Sequence, residues 1–130
     1  MKYMLLQGYA VSGVPPISTW THGEIKAHID FQIELNQELT DSGEFVDAQG
    51  LAGPDQAKIV VSDGAGLPVI TDGPFPESKE FLAGYRLVDV TGLERAIEIA
   101  ARASAAPGPN GVAIKQPIEV REVPGPPDVG

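Results

Sequence analysis

The sequence predicts an α+β domain, a ferredoxin-like βαββαβ chain carrying one extra β-hairpin, with both helices on one sheet face. Two observations lead there. A helical period recurs over residues 24–39 and 93–103, while the remaining apolar runs are short, rich in β-branched or aromatic residues, and bounded by Gly and Pro. Their order, β-α-β-β-β-β-α-β, is that of the fold with a hairpin added between its middle elements.

Each element has its own local reason. Lys2 to Tyr9 has the residues and length of a strand. Pro15-Pro16 cannot continue strand or helix, so the segment from Ala10 is a loop leading to a helix start near Thr21. From Glu24 to Leu39, Ile25, Ile29, Leu35 and Leu39 gather on one side, with Phe31 and Ile33 at its edges. His28 falls inside that arc. Asp41-Ser42-Gly43 supplies a glycine stop. Phe45–Leu51 and Lys58–Ser62 read as strands, and Asp63-Gly64-Ala65-Gly66 turns the chain into Leu67–Thr71, an edge strand that tolerates Pro68. Phe81–Val90 is a longer strand in which Gly84 allows a bulge or a close approach. Thr91-Gly-Leu-Glu94 fits a capping box, opening a helix with Leu93, Ala96, Ile97 and Ala100 as its apolar stripe. Ile118–Val123 is the last strand. One domain over residues 1–123 is expected, with the Pro-rich 124–130 fraying as a tail.

Composition narrows the function classes. The chain has 130 residues, 42% of them hydrophobic, which suits a single soluble core. Nine basic residues face eighteen acidic ones for a net charge of −9, so a nucleic-acid backbone would be repelled. The absence of cysteine excludes disulfides, thiolate nucleophiles and zinc–thiolate sites. The apolar run after Met1 is too short for a signal peptide, and no stretch has the length of a membrane helix. A cytoplasmic protein is therefore expected, with no nucleic acid and no membrane as partners. There is no phosphate-binding glycine loop, GxSxG elbow or HExxH pair. With only His22 and His28 as imidazoles, no metal and no cofactor are expected.

Five further residues join His28 as candidates for chemistry. On the inner helix face His28 suits general acid–base work, or equally a core histidine satisfied by one partner. Asp72 either orients His28 or anchors its own turn. Phe75 walls a pocket or plugs into core, and Glu80 is a pocket carboxylate or a solvated strand charge. Tyr85 offers its hydroxyl to a sheet-face cavity or packs in the core or at a dimer interface, while Arg86 must face the other way. Trp20 lines a cleft mouth or staples the helix start.

Asp72-Gly73-Pro74-Phe75 is longer and more constrained than a simple hairpin needs. With Thr71, Glu77, Lys79-Glu80 and Gly84-Tyr85, it resembles the DGPF signature of the YCII-related family. Met1-Lys2-Tyr3-Met4-Leu5-Leu6 and His28 look similar too. The resemblance implies a dimeric α+β barrel, in which two copies of the sheet meet as a homodimer. It also implies a His–Asp active centre, here His28 and Asp72, provided the fold brings them together. The chemistry it points to is cofactor-independent, of isomerase or lyase type, on a small organic metabolite in a cleft between sheet and first helix. Family members often lie beside extracytoplasmic-function sigma factors, so the rival expectation is a non-catalytic accessory protein of such a system.

Overall fold

The computed structural model describes residues 1–8, 11, 13–73 and 82–128. Strand β1 (Lys2–Gly8) is followed by helix α1 (His22–Asp41) and strand β2 (Phe45–Gly50). A hairpin of β3 (Lys58–Val61) and β4 (Val69–Asp72) comes next. Strand β5 (Leu82–Asp89), helix α2 (Leu93–Ser104) and strand β6 (Ile118–Val123) complete the chain. The main sheet is antiparallel in the order β2-β5-β1-β6. That is the ferredoxin-like order, with the first strand and the one before α2 at the centre, and β3–β4 as a separate two-stranded ribbon.

Strand alternation divides the sheet into two unlike faces. On β5, Gly84, Arg86 and Val88 are buried while Tyr85 and Leu87 are only half-buried. The first set, with Tyr3 and Leu5 of β1, lies under the helices; Leu35 and Leu39 of α1 and Ala96, Ile99, Ala100 and Ala103 of α2 close that core. The second set shares its face with Met4 and Leu6, and among the described residues no helix covers it. Arg95 of α2 ties the layers at one end, its Nε and Nη2 each donating to Glu44 at 2.9 Å.

Two local readings of the sequence change besides the stripe of α2, where Leu93 and Ile97 are 49% and 51% exposed and Ile99 is buried in their place. The capping box belongs to α1, where Thr21 Oγ1 accepts from Glu24 N at 3.1 Å and Glu24 Oε1 accepts from Thr21 N at 2.8 Å. Helix α2 starts instead from Gly92 in extended backbone, and no side chain caps it. Thr21→Ala should therefore cost about 1 kcal/mol in urea unfolding, and Thr91→Ala only a few tenths. Equal losses would show that Thr91 caps α2 after all. The second change concerns which face of α1 turns inward. Ile29 is 49% exposed and Ile33 is 62% exposed, while Gln32 and Asn36 are half-buried. The inner face is apolar at its C-terminal half and polar at its N-terminal half.

Gly43 ends α1 with φ +78°, the left-handed conformation expected of a glycine stop. At Gly84 a Cβ would stand 2.8 Å from the carbonyl oxygen of Gln49, so only glycine lets β2 pair this closely. The β1–β5 register also slips there, between Gln7 and Gly8. The hairpin is mostly exposed: Val60, Val61, Val69 and Ile70 are exposed and Leu67 is 96% exposed. Among the described residues no helix is long and apolar enough to cross a membrane.

Candidate functional site

The polar half of α1 follows from a four-residue step. His28, Gln32 and Asn36 stand one above another on the helix surface, aimed at the sheet where Arg86 rises from β5. Arg86 Nε donates to Asn36 Oδ1 at 2.7 Å and Nη2 donates to Gln32 Oε1 at 2.6 Å. Arg86 is only 3% exposed, and burial pulls its pKa below the usual guanidinium value. It stays charged all the same, because arginine is not deprotonated in proteins. Between these groups lies a cavity of about 240 Å³, which Gln7 and Gln49 also line.

The loop after α2 fixes the histidine. His28 Nδ1 lies 3.0 Å from the carbonyl oxygen of Pro107. A carbonyl can only accept, so Nδ1 carries the proton, and in the neutral ring Nε2 is the basic nitrogen. Trp20 meets the imidazole edge-on, with ring centroids 5.4 Å apart and planes at 84°. Its own Nε1 donates to Pro15 O at 2.9 Å. A second clamp holds the loop to the helix start, where Asn110 N donates to Glu24 Oε2 at 2.6 Å. That bond, aided by the Thr21 backbone N–H, holds the Glu24 carboxyl below its ordinary pKa. Gly108 passes so close that a Cβ would collide with Ile114, with the Trp20 ring 3.5 Å away. The imidazole is thus oriented from two sides, by the Pro107 carbonyl and the indole.

The other predicted residues fall elsewhere. Asp72 ends β4, where the hairpin register sets it opposite Lys58, and the two form an exposed ion pair. Among the described residues no hydrogen bond or ion pair joins it to His28. Tyr85 borders the cavity by its place in β5, but alternation turns its ring to the open sheet face. There its hydroxyl donates to Asp47 Oδ2 at 2.8 Å, which raises the phenol pKa and lowers that of the carboxyl. Phe75 and Glu80 lie outside the described residues. Gln32, Asn36 and Arg86 are the functional candidates that hydropathy reading misses. The signals for them were present: the 28, 32, 36 spacing, and Arg86 sharing strand parity with Val88. Among the described residues no group of three or more histidine and carboxylate side chains is placed to hold a metal ion.

The model of the YCII-related domain matches residues 1–119 of this chain, almost its whole length. A search of curated proteins found no match.

Proposed function

Since the chain belongs to the YCII-related family, we propose that it binds a small organic molecule between α1 and the sheet and moves a proton on it without a cofactor. The observation that carries this reading is His28 at the cavity wall, its Nδ1 committed to the Pro107 carbonyl. Nε2 can then take a proton from a bound molecule and return it to another atom, as isomerisation or elimination requires. Trp20 holds the ring plane, and the amides of Gln32 and Asn36 supply polar contacts. The orienting role that a carboxylate plays in a triad falls here to a backbone carbonyl.

Solvent deuterium tests this directly. Wild-type protein incubated in D2O with a panel of small metabolites should add deuterium to its substrate, read by mass spectrometry. Asp72→Asn should retain that exchange within about twofold, as for an exposed residue away from the site. Loss of exchange in Asp72→Asn would restore the His28–Asp72 pair. A panel with no exchange at all would favour the accessory-protein expectation.

The same reading includes a homodimer. Met4, Leu6 and Leu87 form a half-buried apolar strip on the sheet face without helices, and a second copy's sheet is the cover that suits it. Light scattering should give twice the chain mass for wild type and the monomer mass for a folded Leu6→Asp variant. A wild-type monomer at micromolar concentration would sink the dimer.

A further inference from the structure

Arg86 is a buried cation, 3% exposed. Among the described residues its side-chain partners are two amide oxygens, Asn36 Oδ1 and Gln32 Oε1, and no carboxylate meets it. Taking a guanidinium out of water costs several kcal/mol, which neutral acceptors offset only in part. A guanidinium also has more N–H donors than these two bonds use. Among the described residues nothing accepts from Nη1, and Arg86 lines the cavity beside His28.

We propose that the cavity is a carboxylate site: Arg86 holds the acid group of a small organic monoanion, and the rest of the molecule reaches His28. This rests on the reading of the cavity as a small-molecule site. The volume of about 240 Å³ is roughly that of eight waters, which fits a metabolite-sized acid. A carboxylate matches the planar fork of a guanidinium. A phosphate ester shares the anionic chemistry but brings a second negative charge. One cation inside a chain of net charge −9 suits a monoanion better. The two amides hold the guanidinium in place without neutralising it, so its charge is kept for the ligand.

The test uses a fragment set of matched carboxylates and their primary amides, with inorganic phosphate as a third probe. Binding is read by NMR on the intact chain. Carboxylates should bind at least ~10-fold tighter than their amides, the mark of a charge-assisted hydrogen bond, and should shift the Arg86 Nε–H resonance. Arg86→Met should erase that preference, and Arg86→Lys should keep part of it. The wild-type carboxylate/amide ratio and Nε–H shift decide the matter even if Arg86→Met fails to fold. Equal binding of both classes beside His28 would overturn the carboxylate assignment and leave the small-molecule site standing. Phosphate binding tighter than the carboxylates would overturn it in favour of a phosphorylated ligand. Fragments that move no resonance of the cavity would overturn both.

Discussion

His28→Gln should lower deuterium exchange into the substrate by about 10²- to 10⁴-fold, the usual contribution of a positioned acid–base group. Glutamine is close to histidine in length, and its amide can still donate to the Pro107 carbonyl that anchors the native ring. It cannot take up and release a proton. Stability should change little, because His28 is half-buried and its one hydrogen bond can be kept. A drop in exchange with an unchanged unfolding midpoint therefore separates chemistry from architecture. Full activity in His28→Gln would remove the histidine from the mechanism, whatever binds in the cavity.

Ile99→Ala should destabilise the fold by about 2–5 kcal/mol, a large share of what a domain of this size has to lose. Ile99 is fully buried on α2 and belongs to the cluster with Leu5, Leu35, Leu39 and Val88. Deleting its side chain forfeits both its transfer energy and its packing contacts. The melting temperature should fall by on the order of 10 °C. Val60→Ala, on the exposed hairpin, should change stability by less than about 0.5 kcal/mol. Ile99 does not line the cavity, so exchange per folded molecule should survive its truncation. A loss near 0.5 kcal/mol at Ile99 would mean that α2 is not packed on the sheet as described.

The architecture was largely legible because it rests on local signals. Period, glycine stops and proline breaks locate both helices and the six strands among the described residues, and Gly84 reads as a close approach, which β2 makes. The capping box shows the limit of such signals. Thr21-His-Gly-Glu24 and Thr91-Gly-Leu-Glu94 carry the same pattern, and only the first forms, since Gly92 is the N-cap of α2 and Thr91 lies one residue before it. The site was harder for a reason of distance. Arg86 lies 50 residues from Asn36 and 54 from Gln32 in sequence, so nothing local says that these polar groups meet in the interior. Hydropathy accordingly sends Ile29 inward with Ile33 at the edge of that face, whereas Gln32 and Asn36 turn in to meet the buried guanidinium. The partner of His28 was hidden in the same way: a backbone carbonyl at Pro107 has no side chain to announce it. For Asp72 the hairpin register decides, because pairing Val61 with Val69 puts Lys58 opposite it.

The most direct measurement is chemical-shift mapping of the intact protein with a molecule that it deuterates. The expected shifts concentrate at residues 28, 32 and 36 of α1 and 84–86 of β5, with the His28 ring nitrogens among the largest. Shifts confined to the exposed hairpin or the open sheet face, with His28 unmoved, would contradict a functional site between α1 and the sheet.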